Sequence, residues 1–322
     1  MSAKPLLAAP IGDPSGIGPE VCVKALATGE PQTKSRVMLV GSIETVEEAA
    51  RTCGVDVRFR KVAGVEEAAA SNGGIPVLDP GNLARRDYAI GAASAAGGRA
   101  SFDWLRATIE LADAGAVDAC VVGPINRQAF RLAGIFGATD EMQPPETFQF
   151  RVNGPLRVVP ITEHVKLRDV PSFVTKERVL GLIVLMDATL RRWGFKEPRL
   201  GIAGLNPHCA GEEDVEQIEP AVNAACEAGI EASGPVSPDS IFRQAIEGRY
   251  DAVISMYHDQ GQIAMKTSAF AGACTIFVGL PYVRIGVPHG TAYDIAGTGR
   301  AQHLTMLAAM NTAAALASGS GL

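Results

Sequence analysis

The chain reads as an α/β protein with largely parallel strand pairing. Short apolar runs of strand length alternate with longer stretches of helical period, the rhythm of strand–helix–strand units. Several of those runs end in glycine, proline or polar clusters, as strands do where an open sheet presents chemistry at its carboxyl edge. The composition is globular: 47% hydrophobic and 20% charged over 322 residues, enough for two ordinary domains or one large one.

Charge and cysteine usage exclude several classes. Lys and Arg total 29 against 35 Asp and Glu, a net charge of −6, and the basic residues are scattered, so nothing favours nucleic acid. Six cysteines lie far apart with no CxxC pair, the usage expected of reduced thiols in a cytoplasmic protein. The opening ten residues hold one lysine and a short apolar run broken by Pro10, which reads as a first strand, not a signal peptide. No apolar run has the length of a membrane span.

In chain order, Leu6 to Ile11 is expected as the first strand, followed by Gly12-Asp-Pro-Ser-Gly-Ile-Gly-Pro-Glu20. Pro19 and Glu20 suit the first turn of a helix. This glycine-rich turn could cradle an anion on its N–H groups, but its spacing matches neither GxGxxG nor a P-loop, and a plain tight turn is the simpler meaning. Arg36 to Gly41 is expected as a strand and Thr45 to Thr52 as a helix; Val55 to Arg86 is irregular. Gly98 to Gly115 is an amphipathic helix carrying Phe102, Leu105 and Ile109 on one face. Asp118 to Asn126 is a buried strand ending in a polar turn. Leu156 to Thr162 is a strand running into Glu163-His164, and Leu200 to Leu205 is one running into Asn206-Pro207-His208. Helices are expected over Glu177–Trp193 and Val215–Ala228. Ala252 to Met256 is a strand delivering Tyr257-His258-Asp259-Gln260-Gly261, and Ala273 to Val278 is another. A final helix runs through Leu304, Leu307 and Met310.

Three histidines, His164, His208 and His258, each follow a separate expected strand. If those strands share a sheet edge, three imidazoles with an open position describe a catalytic divalent ion; capping or core histidines are the competing reading. Asp259 could orient its neighbour or move a proton. Asp239 sits where an N-cap is wanted. Lys266 could carry a tuned amine or bind an anion, against the default of a solvated lysine. Arg284 is a candidate fork for carboxylate or phosphate, or a surface ion pair. His289-Gly290-Thr291-Ala292 could lay a ring against a nucleotide base.

With these residues in view, the sequence resembles the 4-hydroxythreonine-4-phosphate dehydrogenase family of vitamin B6 biosynthesis and its paralogues. The resemblance rests on Gly12–Glu20, Pro124-Ile-Asn126, Gly204-Leu-Asn-Pro-His208, Met256-Tyr-His-Asp-Gln-Gly261 with Lys266, Gly279-Leu-Pro281 with Arg284, and His289-Gly-Thr-Ala-Tyr-Asp-Ile-Ala-Gly297. It implies an isocitrate/isopropylmalate-dehydrogenase-like fold, two α/β/α domains around a central cleft. The first domain is expected at residues 1–127 and 289–322, and the second, carrying the metal ligands and dimer contacts, at 128–288. It implies a homodimer in which His164 and His208 of one subunit and His258 of the other hold a divalent metal, zinc first, with magnesium, manganese or cobalt as alternatives. Lys266, Arg284, Thr139 and Thr275 carry over as substrate positions. Asp239, Asp259 and Lys266 carry over as the catalytic set, and His289, Gly290, Thr291, Ala292 and Asp294 as the NAD or NADP loop.

The chain departs from the family at substrate positions. A His-Thr pair is usual after Gly137, where this chain has Ala138-Thr139, and an asparagine is usual where Thr275 aligns. Cys209-Ala-Gly-Glu212 replaces a longer glycine-rich insert. The expected activity is metal-dependent oxidation of an anionic 3-hydroxy acid by NAD(P), followed by decarboxylation. Alternatives are a paralogue acting on a four-carbon sugar-acid phosphate such as threonate or erythronate 4-phosphate, a cis-dihydrodiol carboxylate enzyme, and a non-catalytic binding protein for an anionic metabolite.

Overall fold

A computed structural model describes residues 4–70, 73–137, 143–268 and 273–322. The chain forms two compact units, Met1–Pro145 with Leu280–Ser318 and Leu322, and Glu146–Gly279 with Gly319–Gly321. The sequence suggested boundaries at 127/128 and 288/289. Residues after 127 stay with the first unit because the helix Arg127–Leu132 packs on the helix Ala95–Asp113, Phe130 meeting Phe102 edge to face at 5.6 Å. Gly98 permits that approach: a Cβ there would lie 2.1 Å from the Ala129 carbonyl oxygen.

The first unit is a parallel sheet. Its strands are β1 (Leu6–Pro10), β2 (Arg36–Val40), β3 (Phe59–Val62), β4 (Ile75–Leu78), β5 (Ala119–Val122) and β12 (Val283–Gly286), in the order β3-β4-β2-β1-β5-β12. β1 lies between β2 and β5, with Leu6 opposite Arg36 and Leu7 opposite Ala119, and is buried throughout, as a strand covered on both faces must be. The flanking helices are capped by their sequence. Ser42 accepts from Thr45 N–H before Ile43–Cys53, and Gly54 ends that helix at φ 64°. Ser94 likewise accepts from Gly97 N–H to open Ala95–Asp113. β3 and β4 fall in the stretch expected to be irregular. Each has only four residues, and β4 contains Pro76, so neither shows a clear period.

The second unit is mixed. β6 (Phe148–Asn153), β7 (Leu156–Thr162), β8 (Leu200–Ala203), β9 (Ala232–Val236), β10 (Ala252–Tyr257) and β11 (Cys274–Val278) lie in the order β11-β6-β7-β10-β8-β9. β7, β10, β8 and β9 run parallel, whereas β6 is antiparallel to both β7 and β11. β6 joins β7 through a tight hairpin at Asn153-Gly154-Pro155, with Gly154 at φ 58°. The core gathers Leu156, Val158, Ala203, Ile241, Ala245, Tyr250, Val253 and Met265. Gly201 leaves room for the Tyr250 ring, which a Cβ would meet at 2.8 Å. Among the described residues no helix is long and apolar enough to cross a membrane.

The start of β10 is held by an ion pair. Asp251 accepts from the Arg199 backbone N–H at 2.9 Å and from its guanidinium at 3.0 and 3.1 Å, immediately before β8. Burial alone would raise the Asp251 carboxyl, but these donors and the charges of Arg199 and Arg157 outweigh it and hold it below its ordinary value. A carboxyl depressed by folding stabilises above its unfolded pKa, and that stabilisation is lost as pH falls through the folded value. Asp251→Asn is therefore expected to lower stability by about 1 kcal/mol at neutral pH, because Arg199 is half exposed and screened. It is also expected to flatten the loss of stability below about pH 4. Urea titrations at pH 7 and pH 3 check both: equal destabilisation at the two values contradicts the assignment.

Candidate active site

The site is built at the carboxyl edge of the second unit's parallel strands. Tyr257, the last residue of β10, lies opposite Thr162, the last of β7. The residues that follow both strands therefore emerge side by side, and the His164 and His258 rings stand 5.2 Å apart. On its other side β10 pairs with β8, Ile254 opposite Ile202, and the Thr162 hydroxyl donates to the Met256 carbonyl at 3.0 Å.

His258 opens a helix, His258–Ser268, directly from the strand, where the sequence suggested a polar turn. Each residue of the motif has a separate task. Gln260 accepts from Met256 N–H at 2.7 Å and donates to the Gly204 carbonyl at 2.9 Å, tying the end of β10 to the end of β8. Gly261 packs on Val158 and Ser255, where a Cβ would come within 2.8 Å of the Val158 side chain. His258 Nδ1 is 2.7 Å from Asp259 Oδ1, which orients the ring and leaves Nε2 as the nitrogen that could meet an ion. Asp259 is thereby engaged as an orienting carboxylate.

Glu163, His164 and His258 place one ligand atom each within 4.8 Å of one another. The two imidazoles fit a divalent ion; Glu163 fits less well. Both its oxygens accept from the Arg151 guanidinium, at 3.1 and 2.8 Å, and the pair is nearly buried, with side chains 9% and 13% exposed. A carboxylate committed to a buried bidentate pair is a strut for the neighbouring His164 before it is a ligand.

His208 lies outside that group. It sits in the turn Pro207–Cys209 with φ 58°, and Cys209 follows at φ 56°. Two successive non-glycine residues in the left-handed region cost about 1–2 kcal/mol each, so the surrounding contacts must hold them. On either side of the pair, Asp214, 0% exposed, accepts from Leu205 N–H, Asn206 N–H, Gly211 N–H and the Asn206 side-chain amide at 2.7–3.2 Å. The expected helix from Val215 begins instead as a π-turn, Asp214–Ile218, before becoming α-helical at Glu219–Glu227.

The remaining expected residues divide. Asp239 does not cap: Ser240 holds the N-cap position of the helix Ile241–Ile246, while Asp239 accepts from Ser237 Oγ at 2.8 Å. Asp239 is near enough to the His208 turn that its charge, after burial and Asp214, helps push the Cys209 thiol up. Lys266 is exposed on the helix that starts at His258, about 12 Å further along its axis. Thr275 is buried in β11 opposite Arg151. Arg284 is 2% exposed in β12, beside Tyr282, Cys120 and Asp113, so its guanidinium is enclosed rather than presented to solvent. Burial pushes the Tyr282 hydroxyl and the Cys120 thiol each up to about 12. Thr139 and Ala138 lie outside the described residues.

In the first unit, Gly12–Glu20 and the loop His289–Gly297 form one assembly. Ile17 N–H donates to the Thr291 carbonyl at 2.9 Å, Gly16 N–H to the Asp13 carbonyl at 3.1 Å, and Ser15 N–H to Asp13 Oδ1 at 2.9 Å. The amides of Ser15, Gly16 and Ile17 are thus spent inside the protein rather than offered to a phosphate. Gly16 abuts Thr291, whose hydroxyl accepts from Asn126 Nδ2 at 3.1 Å. Tyr293 Oη donates to Asp13 Oδ2 at 2.7 Å, and Gly297 N–H donates to Glu20 Oε1 at 2.5 Å. Asp13 is fully buried; burial pushes its carboxyl up while Tyr293 and Ser15 pull it down. His289 is half-buried, Gly290 and Asp294 are exposed, and Ala292 has φ 41°. The sequence reading missed Arg151, Asp214 and the Asp13–Tyr293 link, although Asp13 and Tyr293 each lay within a recognised motif.

The family described as pyridoxal phosphate biosynthetic protein PdxA matches residues 33–313. A protein of Novosphingobium aromaticivorans, provisionally named 4-hydroxythreonine-4-phosphate dehydrogenase, is 42% identical over 318 residues, covering 99% of this chain and 96% of its own. One of Symbiobacterium thermophilum, provisionally named D-threonate 4-phosphate dehydrogenase, is 40% identical over 98% of this chain and 97% of its own. The crystal structure of the 4-hydroxythreonine-4-phosphate dehydrogenase of Klebsiella pneumoniae superposes with a TM-score of 0.85 at 34% identity, covering 97% of this chain and 99% of that one.

The Asp13–Tyr293 link is directly testable. Tyr293→Phe keeps the ring and removes one donor from a buried carboxylate, and is expected to cost about 1–3 kcal/mol in chemical denaturation. A loss below 0.5 kcal/mol, on the order of a surface substitution, would show that the carboxylate does not depend on the tyrosine.

Proposed function

The chain belongs to the PdxA family, and on that premise we propose that it is a divalent-metal- and NAD(P)-dependent dehydrogenase of a small phosphorylated 3-hydroxy acid. Oxidation of the hydroxyl gives a β-keto acid, which then loses CO2. The observation that carries this reading is the convergence of His164 and His258, with Asp259 bonded to His258 Nδ1 so that Nε2 is left for an ion. His164, His258 and His208 would hold the ion, of which zinc best suits three imidazoles. When bound, the ion supplies Lewis-acid polarisation of the substrate oxygen, and the nicotinamide takes the hydride.

The chain's own residues supply position and proton transfer. Glu163, braced by Arg151, holds the peptide that presents His164. Asp259, beside His258, would receive the hydroxyl proton, and Lys266, exposed about 12 Å further along the same helix, would hold the anionic end of the substrate. In the first unit the His289–Gly297 loop, stiffened by Asp13, Glu20 and Asn126, would bind the nicotinamide nucleotide through Gly290, Thr291 and Asp294.

The first substrate is 4-hydroxythreonine 4-phosphate. The second is a four-carbon sugar-acid phosphate, favoured by Ala138 and Thr275 at substrate positions and by the relative named for D-threonate 4-phosphate. Purified protein with zinc and NAD or NADP is to be offered each phosphate while reduced-nucleotide absorbance is read. Turnover of the first alone supports the leading reading, turnover of the second alone replaces it, and turnover of neither rejects the proposal. His258→Ala is expected to cost more than the roughly 10–100-fold typical of an outer-shell partner.

The proposal includes a homodimer whose metal site draws His258 from the second subunit, although one chain already brings its own His258 beside His164. Co-expressing the His164→Ala and His258→Ala chains distinguishes these arrangements. A shared site is expected to return zinc binding to about half the sites of mixed dimers. No return would assign both histidines to one chain.

A further inference from the structure

We propose that Asp214 is the positioning residue for His208, acting on the metal site through the conformation of the turn Asn206–Cys209. The proposal rests on the reading of His208 as a metal donor. Asp214 is fully buried, and its four hydrogen-bonded contacts all come from the loop that carries His208: Leu205 N–H to Oδ1 at 2.7 Å, Asn206 N–H to Oδ2 at 3.2 Å, Asn206 Nδ2 to Oδ2 at 2.9 Å and Gly211 N–H to Oδ2 at 3.1 Å. A carboxylate filled this way has no capacity left for a substrate, and its negative charge is neutralised by amide dipoles that only this loop conformation converges.

The local sequence is arranged around that carboxylate. At Gly204 a Cβ would stand 2.9 Å from Asp214 Oδ1 and 2.7 Å from Cys209 Sγ, and at Gly211 it would fall 1.9 Å from Asn206 Nδ2. Both positions must be bare for Asp214 and Asn206 to close on the loop. Glu213 accepts from the same Asn206 amide at 2.9 Å, so the side chain is gripped from two successive residues. The π-turn at Asp214–Ile218 fits an extra residue at the helix entrance. What the clamp secures is the left-handed pair His208–Cys209, at φ 58° and 56°, which would relax to a commoner conformation and swing the imidazole away if released. Asp214 lies six residues past His208, which is why no short motif contains both.

Zinc affinity of the metal-stripped protein, measured by competition with a chromophoric chelator, tests this without reference to turnover. Asp214→Asn keeps the shape but replaces one acceptor oxygen with a donor. It is expected to weaken zinc binding by roughly 10–100-fold. In the His208→Ala background the same change is expected to weaken it no further, because the residue it acts through is already gone. Asp214→Glu is expected to restore affinity partly. Additive losses in the double variant, or zinc affinity within twofold of wild type for Asp214→Asn, would overturn the proposal. An unchanged affinity in His208→Ala alone would instead reject His208 as a donor, and with it this inference. Should Asp214→Asn fail to fold, Asn206→Ala removes one of the four contacts and is read in the same cycle.

Discussion

The second unit depends on the parallel register of β10 between β7 and β8. Tyr257 opposite Thr162 puts the ends of two strands level, so whatever follows them meets at the same edge. Gln260 adds the third strand by bonding the backbone of Met256 and of Gly204. A slip of one residue would exchange the faces of Ser255 and Met256, both fully buried, and would carry His258 to the opposite face. The apolar core beneath, from Leu156 and Val158 to Val253 and Met265, is what makes that slip costly. Placement of the candidate site is thus inherited from core packing through strand register.

Long periodic elements and buried strands were legible in the sequence. β7 spans Leu156–Thr162 as expected, and the helices Ala95–Asp113 and Lys176–Arg192 fall close to their expected ranges. Their signal is a repeated apolar period over many residues. β3, β4, β6, β9 and β12 were not legible. The first two are four residues long, and β6 carries Gln149 and Arg151 because its neighbours are antiparallel and one face supports an ion pair. Such strands are defined by partners distant in sequence, which periodicity does not report.

For the site, the approach of His164 to His258 was legible because each follows a strand, whereas His208 lies outside their group. What holds them was hidden. Arg151 reaches Glu163 across twelve positions, and Asp13 meets Tyr293 across 280. The glycine-rich turn shows the opposite hazard. Its composition suggested anion binding, yet its amides bond to Asp13 and Thr291, so its glycines serve close approach of two loops. Composition indicates that backbone must come near something; only the hydrogen-bond accounting says what.

The discontinuous first unit has a consequence for synthesis. All but three residues of the second unit have been made by Gly279, while the first still lacks β12 and the helix Leu304–Ala317. Until residue 283 emerges from the ribosome, β5 has β1 on one side and an unpaired backbone edge on the other. An open strand edge is a template for wrong pairing. The usual vectorial order, with the amino-terminal domain finished first, is therefore inverted in this chain: the inserted unit can close while the one that started earlier waits for its last strand.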